Sequence, residues 1–305
     1  MKKKLKILIT GSSGTIGTRL FEQLLEKNYD TIGFDKKPNI WHKKLNKLTI
    51  KGNLLSRNDI KKIPTNIDMI IHLAANARVY DLVVDPDLAL ENIIIAHNIL
   101  EFAKKNKIKN FIFSSSREVY GNKKNITSKE NDIDITRCES PYTASKIADE
   151  ALIHAYHRCF GIDYIIFRFS NVYGRYDESD RFVPLMIRKM RKNENIDIYG
   201  KNKLLDFTYI DDTINGIIKG ITKFSKVKND TFNIASGKAD KLITVAKLLK
   251  QSLQSKSKIF IKSNRPGEVV QYIANISKAK KILGYKPKTS IREGLKLSID
   301  WYAKN

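Results

Sequence analysis

The chain has 305 residues, enough for one large domain or two unequal ones, and its 42% hydrophobic and 29% charged residues exclude a disordered polymer. Its 56 Lys and Arg against 32 Asp and Glu give a formal charge of +24, which favours anionic partners, but the lysines are scattered in pairs such as Lys36-Lys37 and Lys104-Lys105 and build no basic block. Two cysteines, Cys138 and Cys159, exclude a disulfide framework and a cysteine-rich metal cluster, and they fit a reduced, cytoplasmic protein.

The opening MKKKLKILITGSSG has the basic-then-apolar order of a signal peptide, but its apolar run is short and enters a glycine turn, so a strand is expected there instead. KILIT (6–10) reads as that strand, followed by an amphipathic helix over 15–27. TIGFD (31–35) and LTIKG (48–52) are two further strands, and IDMIIHLA (67–74) is the continuous apolar type that a parallel sheet buries on both faces. A long helix follows over 86–105, with Pro86 suited to its first turn. FIFSSSREVYG (111–121) begins as a strand and ends in three hydroxyls, an arginine and a carboxylate; a second long helix spans 141–160, and DYIIFRF (163–169) is another strand. Beyond about residue 170 the expected elements are helices over 181–192, 211–224, 242–253, 277–283 and 291–302, and strands over 196–200 and 231–235. No segment reaches the roughly 18 apolar residues of a membrane span, so no membrane partner is expected.

The strand–helix alternation of the first half predicts an α/β fold with a doubly wound, Rossmann-like parallel sheet. A dinucleotide-binding domain is expected over 1–170, with later segments at about 205–235 returning to it, and a smaller, mainly substrate-binding region over 171–305. TGSSGTIG (10–17) places Gly11, Gly14 and Gly17 between the first strand and the first helix. Gly11 permits the tight turn, Gly14 lets backbone approach a pyrophosphate, and Gly17 allows close packing; the helix N-terminus then offers N–H groups to phosphate. Asp35 ends the second strand, where a carboxylate accepts hydrogen bonds from ribose hydroxyls and repels a 2′-phosphate. NAD is therefore the expected cofactor.

Tyr142 and Lys146 are four positions apart in PYTASKIADE and share one helix face. An ammonium beside a phenol favours the phenolate, which takes a proton from a hydroxyl as its carbon is oxidised. Ligands bind at the carboxyl ends of parallel strands, so Ser114, Ser115 and Ser116 belong beside the nicotinamide.

TGSSGTIG, HLAA (72–75), SSSREVYG, YTASK, RFSNVYG (168–174), LDFTYIDD (205–212) and RPGE (265–268) together resemble the extended short-chain dehydrogenase/reductase family, and within it the NAD-dependent nucleotide-sugar epimerases and dehydratases. The resemblance covers nearly the whole chain in order. It implies a nucleotide-diphosphate sugar substrate, transient oxidation of the sugar C4 hydroxyl, and a homodimer pairing helices 86–105 and 141–160. It implies Tyr142 as catalytic base, Lys146 as its partner and Ser116 as the hydroxyl holding the reacting oxygen. Gly11, Gly14, Thr15, Ile16, Gly17 and Asp35 fall on cofactor-contacting positions; so do Asn53, Leu54, Leu73, Ala74 and Ala75, and Asn92, Tyr142, Lys146 and Phe169. Asn171 and Arg265 fall on substrate-binding positions, the latter gripping the diphosphate. Asn53 and Asn275 stand where aspartates are frequent, and Leu205 where an arginine commonly precedes Asp206.

Glu118 separates the possible reactions. The resemblance makes it a base acting beside a C4 ketone in dehydratases and decarboxylases, whereas 4-epimerases need no carboxylate there. Arg117 beside it offers the other reading, an ion pair in which Glu118 is structural. C4 epimerisation leads, with 4,6-dehydration or decarboxylation through Glu118 as the alternative. Non-catalytic relatives of the fold that bind RNA form a distant third class, which the tyrosine–lysine pair and the glycine loop argue against; nucleic acid is not the expected partner.

Overall fold

The computed structural model describes residues 4–305. Its centre is a seven-stranded sheet of β1 (Lys6–Thr10), β2 (Asp30–Asp35), β3 (Thr49–Lys51), β4 (Met69–His72), β5 (Asn110–Ser116), β6 (Asp163–Phe169) and β7 (Asp230–Ile234). The spatial order is β7-β6-β5-β4-β1-β2-β3 and every pairing is parallel. The chain reverses its direction of travel between β1 and β4, and in such sheets that switch point opens the ligand crevice at the strands' carboxyl ends.

Both faces are covered because successive side chains point opposite ways. Ile7 and Ile9 pack in one core with Leu20, Phe21 and Leu24 of helix α1 (Thr15–Glu26), while Leu8 belongs to a second core with Ile95 and Ile99 of α2 (Asp87–Lys105) and Ile153 of α3 (Pro141–Phe160). Helix α4 (Ile210–Val227) joins the first core through Ile214, Ile217 and Ile221.

The remaining strands are assembled from distant segments. A five-stranded sheet combines Thr127–Ser128, Asn171–Tyr173, Leu204–Tyr209, Ala239–Lys241 and Gln271–Ala274. Ile196–Tyr199 pairs in parallel with Ile259–Lys262 as a separate ribbon. Of the stretch expected to return at about 205–235, Asp230–Ile234 pairs with β6 and α4 packs on the large sheet, whereas Leu204–Tyr209 pairs with the other sheet. A strand from before residue 170, Thr127–Ser128, also belongs to that second sheet. The helix expected over 277–283 spans those residues, its last five, Ala279–Leu283, wound as a π-type turn and stopped by Gly284 in the left-handed region.

Candidate active site

Helix α3 starts abruptly, and this places the tyrosine. Ser140 caps it by accepting the Thr143 N–H at 3.2 Å, Pro141 occupies the first turn, and Gly161 at φ 66° ends the helix. Tyr142 and Lys146, both buried, consequently project from the first turns of α3 into a cavity of about 460 Å³. The same cavity is lined by Gly11, Gly14, Thr15, Ile16 and Gly17, by Ser116, Glu118, Phe169 and Asn171, and by Arg265. The structure therefore brings the cofactor loop, the tyrosine–lysine pair and the expected sugar contacts into one space.

The glycine loop fits a dinucleotide. A Cβ at Gly17 would sit 2.0 Å from the Gly11 carbonyl oxygen, and one at Gly11, whose φ is +72°, would sit 2.7 Å from the Ala74 amide nitrogen. Gly14 is different: its Cβ would meet nothing nearer than the Gly11 carbonyl oxygen at 3.4 Å, so this backbone fronts onto the cavity, where a pyrophosphate needs to approach. Asp35 braces the loop from β2 by accepting the Ser13 N–H at 2.9 Å, and its other oxygen takes the Lys37 N–H at 2.9 Å. Both oxygens keep a lone pair for ribose hydroxyls.

Five of the expected cofactor residues do not line the cavity, Asp35 at the foot of the loop among them. Ala74 backs onto Gly11 through its backbone. Leu54 is buried in the second core and its carbonyl accepts from Asn98. The Asn53 side chain accepts the Leu55 N–H at 3.0 Å, closing a turn. Asn92 accepts the Asn76 N–H at 2.7 Å, donates to the Asn76 carbonyl at 3.0 Å, and reaches Ser145 at 3.3 Å. Asn92 thus ties the loop after β4 to α3.

Ser116 accepts the Glu118 N–H at 3.2 Å, which turns the chain sharply at the end of β5 and leaves its hydroxyl proton available to a ligand oxygen. Glu118 is ion-paired with Arg117 at 2.7 Å, and both side chains are buried. Burial raises the proton affinity of Glu118 and Arg117 opposes this, with burial the larger effect. Glu118 Oε2 and Arg117 Nη1 make no hydrogen bond. Asp149 lies 3.6 Å from Lys146 on the same helix, and burial pushes its carboxyl up to about 7 against the pull of that lysine. His72, hydrogen-bonded to Thr10 Oγ1 at 2.7 Å, is pushed down to about 3 by burial and by Lys146, and stays neutral.

Several cavity residues escaped the sequence reading: Tyr80, Arg181, Tyr199, Lys203 and Glu268. The Arg265 guanidinium is sandwiched between Tyr199, 3.9 Å from its ring centroid, and Tyr80, at 4.7 Å. No local pattern joins three residues so far apart in sequence. Lys203 had a readable signal: it stands two residues before Leu205, ahead of a strand-like run, and two-residue spacing keeps side chains on one face.

A doubly wound parallel sheet with a glycine loop and a tyrosine–lysine pair at its carboxyl edge defines the class of dinucleotide-dependent enzymes. The family model described as the NAD dependent epimerase/dehydratase family matches residues 7–235, and the chain belongs to that family. It is therefore an NAD-dependent enzyme. A putative UDP-glucose 4-epimerase of Methanocaldococcus jannaschii is 31% identical, over 98% of this chain and 99% of its own. The dTDP-glucose 4,6-dehydratase of Salmonella typhimurium is 27% identical, over 99% of this chain and 93% of its own. Among solved structures, UDP-glucuronic acid 4-epimerase from Bacillus cereus in complex with UDP-glucuronic acid and NAD superposes with a TM-score of 0.91 at 30% identity, over 98% of this chain and 99% of that one. None of the described helices is long and apolar enough to cross a membrane.

Proposed function

We propose that this enzyme epimerises a nucleotide-diphosphate sugar at C4. The observation that carries the reading is that Tyr142, Lys146 and Ser116 line the same cavity as the glycine loop and Arg265. Bound NAD supplies a reversible two-electron acceptor. Ser116 donates its hydroxyl proton to the sugar O4, and Tyr142 removes the O4 proton as C4 becomes a ketone. Lys146 holds positive charge beside Tyr142 and so favours the phenolate that accepts this proton. The ketone then turns its other face, C4 is reduced, and Tyr142 returns the proton. Gly11, Gly14, Thr15, Ile16, Gly17 and Asp35 hold the cofactor, Leu73, Ala75 and Phe169 flank it, and Asn171 and Arg265 orient the sugar and its diphosphate. Relatives acting on UDP-sugars support uridine as the nucleotide.

The ion pair to Arg117 supports a structural Glu118. A second reading, dehydration or decarboxylation with Glu118 as base, draws support from its place in the cavity wall and its raised proton affinity. Incubation with NAD and a panel of UDP-, GDP-, CDP- and dTDP-sugars in heavy water distinguishes them by mass spectrometry. An isomer of unchanged mass without carbon-bound deuterium supports epimerisation; loss of water with carbon-bound deuterium, or loss of carbon dioxide, overturns it. Tyr142→Phe lowers turnover by about 10²–10⁴-fold with NAD still bound, and unchanged turnover sinks the assigned base.

A homodimer through α2 and α3 belongs to the same proposal. Exposed Leu90 and Ile94 on α2 and Phe160 on α3 offer it apolar surface, with Val84 just before α2. Sedimentation at a dimer mass tests it. Two free thiols, Cys138 and Cys159, support a cytoplasmic location.

A further inference from the structure

The cations that line the cavity differ in what they already hold. Arg117 is paired with Glu118 at 2.7 Å, Lys146 lies 3.6 Å from Asp149, Lys203 is paired with Glu268, and Arg78 lies 3.3 Å from Asp81. Arg181 donates to the Ala77 carbonyl at 3.2 Å, and Arg265 rests on two tyrosine rings; among the described residues neither forms a salt bridge. Arg117, Lys146, Lys203 and Arg78 each have a carboxylate beside them. Arg265 and Arg181 have none among the described residues. An anionic group is accommodated where a cation lacks a partner, and is opposed where each cation has one and the carboxylates of Glu118 and Glu268 stand close.

The unmet hydrogen-bonding atoms point the same way. Arg117 Nη1 is a buried donor without an acceptor, and Glu118 Oε2 is a buried acceptor without a donor. The two side chains are 9% and 5% exposed, and both residues belong to the cavity wall. A hydroxyl group both donates and accepts, so it satisfies the two together. A carboxylate satisfies only Nη1 and sets like charge against Oε2.

Building on the proposed reaction, we infer that the sugar accepted here is uncharged: the Arg117–Glu118 pair recognises a neutral, hydroxyl-bearing substituent and rejects a uronate, and the substrate's negative charge resides only on the diphosphate at Arg265. Arg117 and Glu118 are then specificity-determining residues of the sugar pocket.

Calorimetric titration of the NAD-loaded enzyme with UDP, UDP-glucose and UDP-glucuronic acid tests this. UDP-glucose binding at least about tenfold tighter than UDP-glucuronic acid is the expected result. Glu118→Gln keeps the shape and leaves Arg117 without its counter-charge, so the preference narrows by tenfold or more, or reverses. Arg117→Gln weakens UDP-glucose and gains nothing for the uronate. Equal affinity for the two sugars, or tighter binding of the uronate by the unaltered enzyme, overturns the inference whether or not either variant folds. An enzyme that binds none of UDP, GDP, CDP or dTDP instead loses the nucleotide-sugar reading itself. One that binds UDP and prefers the uronate loses only this inference.

Discussion

In the seven-stranded sheet the strand interiors are largely apolar on both faces, from Ile7, Leu8 and Ile9 to Phe111, Ile112 and Phe113. The sheet across the cavity is built from strands of two to six residues drawn from 127 to 274, and buried polar groups hold it together. Asp206 shows how. Its carboxylate accepts the Ser236 N–H at 3.0 Å and hydroxyl at 2.7 Å, the Gly237 N–H at 2.9 Å and the Ala274 N–H at 3.3 Å, joining three separate segments. Asp212 likewise takes the backbone N–H groups of Lys288 and Thr289, both at 2.9 Å. Hydrophobic burial is non-directional and tolerates small shifts, whereas a hydrogen-bonded carboxylate fixes the geometry of every segment it touches. The seven-stranded sheet is thus held mainly by packing, and the second sheet by polar ties between separate segments.

The contrast fails or sharpens on four measurements. Gly17→Ala strikes the packed side where backbone meets backbone, and its cost exceeds the roughly 1–3 kcal/mol usual for overpacking. Loss of retained NAD and a large fall in melting temperature are expected; a variant that keeps its NAD and its melting temperature contradicts the close approach. Asp206→Ala takes the acceptor from the N–H groups of Ser236, Gly237 and Ala274 and costs about 2–4 kcal/mol in urea unfolding. Its specific signature is loss of sugar turnover while NAD binding persists, since Asp206 lies outside the seven-stranded sheet. Simultaneous loss of both functions would mean the two sides are not separable.

Arg265→Lys keeps the charge but loses the planar stack on Tyr199 and Tyr80, and nucleotide affinity falls by about tenfold or more. An unchanged affinity by calorimetry removes Arg265 from the diphosphate site. The smallest effect is in pH dependence at Asp149. With its folded value raised to about 7 from 3.8, the folded state keeps a proton that the unfolded state releases across that window, so this group's contribution to stability falls as pH rises from about 4 to 7. Asp149→Asn removes that slope, and thermal melts from pH 4 to 8 should show the variant gaining on the unaltered protein toward the upper end. Parallel pH curves for the two proteins would show that Asp149 does not titrate in this range.

Local pattern determined a good deal of this molecule. Strand-length apolar runs, the glycines at 11, 14 and 17, the Ser140-Pro141 helix start and the four-residue spacing of Tyr142 and Lys146 are all written within a few neighbouring residues, because backbone geometry and helix periodicity act at that range. They sufficed to place the doubly wound sheet, the cofactor loop and the tyrosine–lysine face. What only the tertiary structure decided lies in meetings across long separations. Leu204–Tyr209 left the large sheet for Asn171–Tyr173 and Gln271–Ala274, Arg265 came to rest between Tyr80 and Tyr199, and Asn92 was spent on Asn76 and Ser145. Arg117 and Glu118 are adjacent in sequence, yet whether they pair or point apart depends on the buried turn that Ser116 caps and on the charges at Lys203 and Glu268 around them. Adjacency is a property of the chain; desolvation and charge balance are properties of the folded cavity.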